Sequence, residues 1–243
     1  MKKPLIIGHR GAMGTAPENT AISFEKALNS GADGVEFDIH MSKDGELVVI
    51  HDERIDRVTE NAQGFIKDYT LKELKEFDIG KKFSAEFLGE KILTLEETLN
   101  IVQDSKIINI EIKNGPIFYP GIEEKTIEVI KKYNIIDKVI ISSFNHYTIK
   151  KLKLVEDRIE CGILYMAGLY QPWEYAKNIG AEAIHPYIYS IMPELINECQ
   201  EMGIKINVFG VNEELSLSNF IQLGVDGIIT DYPEKARAIL ENI

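Results

Sequence analysis

The chain is poor in cysteine, tryptophan and positive charge, and it has no long apolar run. Only Cys161 and Cys199 occur among its 243 residues. Their separation fits neither a metal-ligand spacing nor a disulfide framework, so the thiols suit a reducing compartment. Lys and Arg total 27 against 39 Asp and Glu, a formal net charge of −12. That balance argues against a nucleic-acid partner, and an acidic surface repels anionic lipid headgroups. An anionic substrate would need a local cation, from Arg, Lys or a metal. No apolar stretch reaches membrane-spanning length, so no stable membrane anchor is expected. The opening "MKKPLIIGHRGAMG" has a basic start, but its apolar run Leu5, Ile6, Ile7 stops at Gly8. No signal peptide is expected, and a cytoplasmic location is. GxSxG, Walker A and HExxH motifs are also missing.

What is present is alternation. Short Ile- and Val-rich runs recur: "LIIGHR", "GVEFDIHM", "KIINIEIK", "KVIISSF", "ECGILYM", "AEAIHPY", "KINVFGV" and "VDGIITDY". Amphipathic stretches separate them, from "ENTAISFEKALNSG" to "EELSLSNFIQLG", and Gly31, Gly180, Gly203 and Gly224 are placed to stop helices. Strand–helix alternation over this length predicts α/β architecture, an eight-stranded (β/α)8 TIM barrel, as one domain over 1–243. A doubly wound sheet is the alternative, but "GHRGAMG" after the first strand is not GxGxxG. One region breaks the alternation. "SKDGELVVIHD" reads as a hairpin arm turning at Asp44-Gly45, and residues of about 53–93 read as an insertion after strand two, either a small cap or a surface loop.

Period two along "GVEFDIHM" puts Glu36, Asp38 and His40 on one face and Val35, Phe37 and Ile39 on the other. "INIEIK" repeats this with Asn109, Glu111 and Lys113. The apolar faces meet the helix layer, so the carboxylates point into the barrel. Inward carboxylates repel one another and are costly to desolvate. A divalent cation held by the oxygens of Glu36, Asp38 and Glu111 is the economical remedy. The competing reading pairs the carboxylates with Arg10 and Lys113 in an internal salt-bridge network.

His9 closes strand one and His51 closes the hairpin arm, so both can reach the strand C-terminal end as an acid/base pair. His40 is assigned to packing or hydrogen bonding in the barrel wall, His146 to a solvent-facing helix position and His185 to the rim. Tyr187, Tyr189 and Phe209 are candidate cleft walls. Cys161 and Cys199 read as packing residues.

"HRG", "PENT" and "GADGVEFDIHMSKDGELVVIHD", with "LTLEETL", "NIEIK", "SSF" and "GVDGIITDYPE", closely resemble the glycerophosphodiester phosphodiesterase family. The resemblance runs through nearly the whole chain. It implies a TIM barrel with a small insertion after strand two. It implies acid/base roles for His9 and His51, and metal ligation by Glu36, Asp38 and Glu111. It gives phosphate contacts to Arg10 and Lys113, and a bracing turn to Glu18 and Asn19. The implied reaction cleaves a small-molecule glycerophosphodiester to sn-glycerol 3-phosphate and an alcohol, through a cyclic phosphate. One departure stands out: "NVFGVN" places Phe209 and Gly210 where the family often has tryptophan, so Phe209 is the expected apolar wall for substrate. A lysophospholipase D-type activity is the alternative, for which "AEFLGEK" offers only Phe87 and Leu88. A non-catalytic binding module is a third reading, and a homodimer is allowed for.

Overall fold

The structure is a computed structural model that describes residues 3–243. Met1 and Lys2, on which the signal-peptide reading partly rests, lie outside the described residues. Ten strands form one sheet: β1 (Leu5–His9), β2 (Gly34–Met41), β3 (Leu47–Val49), β4 (Leu93–Thr94), β5 (Ile107–Ile112), β6 (Val139–Ser143), β7 (Glu160–Tyr165), β8 (Ala183–Pro186), β9 (Lys205–Phe209) and β10 (Gly227–Thr230). Eight of them run parallel in the order β1-β2-β5-β6-β7-β8-β9-β10. The β1–β10 pairing closes the barrel, with Leu5 opposite Gly227 and Gly8 opposite Thr230. β3 and β4 are the two extra strands, added antiparallel on β2 and on β3. The turn between β2 and β3 falls at Gly45, at φ +83°, as the Asp-Gly signal implies.

Helices α1 (Ala21–Asn29), α2 (Leu71–Glu76), α3 (Leu95–Val102), α4 (Ile122–Tyr133), α5 (His146–Val155), α6 (Pro172–Ile179), α7 (Pro193–Met202), α8 (Glu214–Leu223) and α9 (Pro233–Asn242) complete the fold. Gly180, Gly203 and Gly224 are left-handed C-caps, whereas α1 is capped one residue earlier, by Ser30. α9 has no counterpart in the sequence reading. Pro233 starts it, and Ala236 and Leu240, four apart, bury its inner face.

The main core lies between barrel and helices. It includes Phe24 on α1 packed edge-on to Phe37 on β2 at 5.7 Å, with Val35, Ile39, Ile108 and Ile110. A second core joins Val48 of β3 to Ile50, Ile55, Ile66, Leu74, Ile79 and Ile92 of the segment that links β3 to β4. That segment is therefore packed against itself rather than strung over the surface.

The barrel interior is polar where space allows. His185 does not reach the rim. It is fully buried, and its Nε2 accepts from the Asn207 amide at 3.0 Å. Gly162 on the neighbouring strand makes the room, since a Cβ there would come within 2.4 Å of the imidazole. His146 is not solvent-facing either. It is half-buried at the start of α5, held by the Leu164 carbonyl at 2.9 Å and the Tyr175 hydroxyl at 3.1 Å. No helix of the described residues is long and apolar enough to cross a membrane.

Candidate active site

Strand ends bring the chemistry together at the C-terminal mouth of the barrel. Parallel register sets His9 opposite Glu36 and Asp38 opposite Glu111. One carboxylate oxygen each of Glu36, Asp38 and Glu111 lies within 4.8 Å of the others, and all three side chains are buried. Lys113, just past β5, approaches Glu111 at 2.5 Å and Asp38 at 3.1 Å, and Arg10 Nε lies 3.4 Å from Asp38. The ion pairs of the competing reading thus exist, but two cations face three carboxylates. Glu36 Oε1 and Asp38 Oδ1 have no hydrogen-bond partner, although Lys113 stands near the latter. Buried carboxylate oxygens left over in an all-oxygen cluster fit a hard divalent cation.

The electrostatics record the same imbalance. Burial, with the neighbouring Asp38 and Glu111, pushes the Glu36 carboxyl well above its ordinary value. Burial lifts Glu111 to about 7 despite Lys113. At Asp38 burial acts the same way, but Lys113 and Arg10 outweigh it and hold the group well below the usual carboxylate range. A carboxyl that resists ionisation beside one that does not is what a missing positive charge produces.

Each histidine is held from behind. His9 Nδ1 donates to Asp231 Oδ1 at 2.6 Å, and Asp231 Oδ2 accepts from the Asn212 amide at 2.6 Å. His51 Nδ1 donates to Asp52 Oδ1 at 2.6 Å. Asp52 also accepts from Arg57, whose other nitrogens donate to Glu18 at 2.6 and 2.7 Å. Glu18 in turn accepts from Arg10 at 3.1 Å. The chain His51–Asp52–Arg57–Glu18–Arg10–Asp38 therefore joins a histidine to the acidic cluster. His40 is a wall residue, as expected: Nε2 donates to the His51 carbonyl at 3.0 Å, so Nδ1 accepts from the Tyr119 hydroxyl at 2.9 Å.

The turn after β1 explains the glycines of "GHRG". Gly11 sits at φ +87°, and a Cβ there would strike Ser23 of α1 at 2.4 Å; a Cβ at Gly8 would strike the Gly11 carbonyl at 2.5 Å. Both glycines thus let the turn fold tightly on itself and against α1. Ser23 Oγ donates to the Arg10 carbonyl at 2.9 Å, and the Arg10 amide donates to Glu36 at 3.0 Å. Asn19 donates to Asp38 at 3.0 Å.

His9, Arg10, Glu36, His51, Glu111, Lys113 and Phe209 all line one pocket of about 100 Å³, with Phe144 and Ser142. Asp38 is buried and does not line it, and Glu18 accepts from Arg10. Tyr187 packs on Phe209 at 5.3 Å, while Tyr189 projects into solvent. Sequence reasoning missed Asp52, Asp231, Arg57 and Asn212. Asp52 adjoins His51 and Asp231 ends the last strand, so two had a positional signal; Arg57 and Asn212 had none.

A parallel barrel with acid/base side chains gathered at its C-terminal mouth is the architecture of an enzyme. The sequence pattern of the Glycerophosphoryl diester phosphodiesterase family matches residues 9–235. The chain is 47% identical over 233 residues to a glycerophosphodiester phosphodiesterase of Caldanaerobacter subterraneus, covering 96% of each chain. It is 43% identical over 242 residues to one from Bacillus altitudinis, covering 98% of each. The solved structure of an Oleispira antarctica phosphodiesterase, in complex with the product sn-glycerol-3-phosphate, superposes with a TM-score of 0.90 at 28% identity, covering 98% of this chain and 97% of that one. The chain belongs to the glycerophosphoryl diester phosphodiesterase family and is a glycerophosphodiester phosphodiesterase.

Proposed function

We propose that the enzyme hydrolyses small glycerophosphodiesters, such as glycerophosphocholine or glycerophosphoethanolamine, to sn-glycerol 3-phosphate and an alcohol. The observation that carries this reading is the pair of aspartate-held histidines, His9 and His51, in one pocket with a buried carboxylate cluster. With each Nδ1–H committed to its aspartate, each Nε2 is left for proton transfer. The product bound by the Oleispira relative supports the glycerol phosphate side. The whole chain, 1–243, acts as one catalytic domain, and residues of about 53–93 are an insertion whose Arg57 braces the pocket.

Glu36, Asp38 and Glu111 would hold a divalent cation, Mg2+ or Ca2+, which when bound supplies Lewis-acid polarisation at the phosphate and the adjacent hydroxyl. His51 is the base. Burial lowers its proton affinity against the pull of Asp38, and Lys113 and Arg10 act with burial, which favours the neutral ring. It takes the proton of the glycerol hydroxyl beside the phosphate ester, and that oxygen attacks phosphorus. His9 is the acid and protonates the departing alcohol. Asp231 holds the ring from behind through Nδ1, with Nε2 turned toward Glu36. Water then opens the cyclic phosphate with the two roles reversed. Arg10 and Lys113 stabilise the equatorial oxygens, Glu18 fixes Arg10, and Phe209 walls the substrate. Turnover of glycerophosphocholine with and without EDTA, followed by detection of glycerol 3-phosphate, tests the reading. Binding without product under any divalent metal would overturn it in favour of a binding module.

A further inference from the structure

Glu18 and Asp52 stand on different segments, one in the loop between β1 and α1 and one just past β3, yet a single side chain joins them. Arg57 donates through Nη1 and Nη2 to the two oxygens of Glu18 at 2.6 and 2.7 Å, and through Nε to Asp52 Oδ2. The other oxygen of Asp52 accepts from His51, and Glu18 Oε1 also accepts from Arg10 at 3.1 Å. All three nitrogens of the guanidinium are therefore committed to two carboxylates. One of these holds a histidine of the pocket and the other holds an arginine of it, while Arg57, Asp52 and Glu18 themselves do not line it. The backbone of Arg57 is fixed independently of both partners. It closes a short 3-10 helix, Ile55–Arg57, whose Ile55 is fully buried in the second core. The Ile55 amide donates to the Gly64 carbonyl at 3.0 Å, and Arg54 bridges to Phe65.

Stability does not account for this arrangement. The Arg57 side chain is 45% exposed and that of Asp52 28%, and ion pairs so open to water contribute little to folding. What a planar, permanently charged fork supplies is geometry: bound on two edges, it fixes the directions of both carboxylates at once. Burial alone would raise the Asp52 carboxyl, but the hydrogen bonds from Arg57 and His51 outweigh it and hold the group at about 2, so it stays ionised behind the imidazole. We infer that Arg57 is a positioning residue that aims His51 through Asp52 and Arg10 through Glu18, so that the insertion orients the base and a phosphate-binding cation together. The inference rests on the roles proposed above for His51 and Arg10. It goes beyond a brace, because it ties two functions of the pocket, proton transfer and phosphate binding, to one side chain outside it.

The test compares Arg57→Ala and Arg57→Lys with wild type, each as the full chain with Mg2+ or Ca2+ present. Three quantities are measured: kcat on glycerophosphocholine, affinity for sn-glycerol 3-phosphate by calorimetry, and melting temperature. Arg57→Ala is expected to lower kcat and to weaken glycerol 3-phosphate binding by about tenfold or more each, while the melting temperature stays within about 4 °C of wild type. Lysine is a point charge on a flexible stem and cannot span both carboxylates, so Arg57→Lys should recover at most one of the two losses. Wild-type values in Arg57→Ala overturn the inference. So does a loss confined to kcat or to binding, because one arm alone is no coupling. Full recovery of both by Arg57→Lys overturns it too, since a positive charge would then suffice. A larger fall in melting temperature in both variants, with kcat and affinity falling alongside it, assigns Arg57 to stability instead. A wild type that turns over no diester is a different failure, that of the activity itself, seen before any variant is compared; it removes the base and the inference with it.

Discussion

Asp231 Oδ1 lies 2.6 Å from Nδ1 of His9, across 222 positions of sequence. The contact exists because β10 returns to pair with β1 and closes the barrel. It locks the imidazole so that Nε2 is presented toward Glu36 and the pocket. Asp231→Asn keeps the shape but withdraws the charge and permits the wrong tautomer. We expect turnover to fall on the order of 10²-fold or more, with KM within about threefold. Steady-state kinetics with a circular dichroism control decide it; unchanged turnover removes Asp231 from the site.

The histidines themselves carry the proton transfers. General acid/base steps are worth about 10²–10⁴-fold, so His9→Ala and His51→Ala should each lose at least that order in kcat. The double variant should lose little more than the worse single one, because the pair acts as a unit. Multiplicative losses would mean that the two act independently.

A charge argument gives the third expectation. Glu36→Gln removes a carboxylate that is already hard to ionise, whereas Asp38→Asn removes one that Lys113 and Arg10 hold fully charged. Both should weaken divalent metal binding by about tenfold or more, read by isothermal titration with Mg2+ and Ca2+. EDTA-treated wild type should regain activity with either ion. Full activity after exhaustive chelation would contradict the ligand assignment.

His185 makes stability depend on pH. Burial pushes its imidazole down to about 3, from 6.5 when unfolded. Below 6.5 the unfolded chain takes a proton that the native ring refuses. The stabilisation is therefore complete above 6.5 and is lost as pH falls toward 3. One such group should cost about 2 kcal/mol between pH 7 and pH 5. His40, lowered to about 4 by burial, acts in the same direction. Urea unfolding of wild type and His185→Gln at both pH values isolates the contribution; equal losses in the two proteins would rule it out.

What could be read ahead of the structure was local or periodic. Alternation along "GVEFDIHM" is enough to turn Glu36 and Asp38 inward, and Asp44-Gly45 is enough to fold the arm that carries His51. His185 was placed wrongly because its depth depends on Gly162 in another strand, not on its own neighbours. Asp231 and Arg57 were missed because each finds its partner only when the chain closes on itself: Asp231 through the β1–β10 seam, and Arg57 across the 39 positions separating it from Glu18. α9 carries its own local signal in Pro233, at its first turn, and in the buried Ala236 and Leu240.

The substrate's own hydroxyl provides the sharpest separation between two routes. No Ser, Thr or Cys is placed as a nucleophile in the pocket: Ser142 is fully buried and accepts from Asn109 at 3.1 Å. Two histidines suffice if the attacking oxygen belongs to the glycerol, because holding it beside phosphorus makes the step intramolecular with a large effective concentration. A glycerophosphodiester should then be cleaved, while its analogue lacking the hydroxyl next to the phosphate ester should bind within a few fold yet turn over at least about 10³-fold more slowly. Inhibition constants measure the binding of the analogue, and phosphorus NMR during turnover looks for a transient cyclic phosphate. Comparable turnover of the deoxy analogue would exclude the cyclic route. It would make water the nucleophile, with His51 still its base and the three carboxylates unchanged in place.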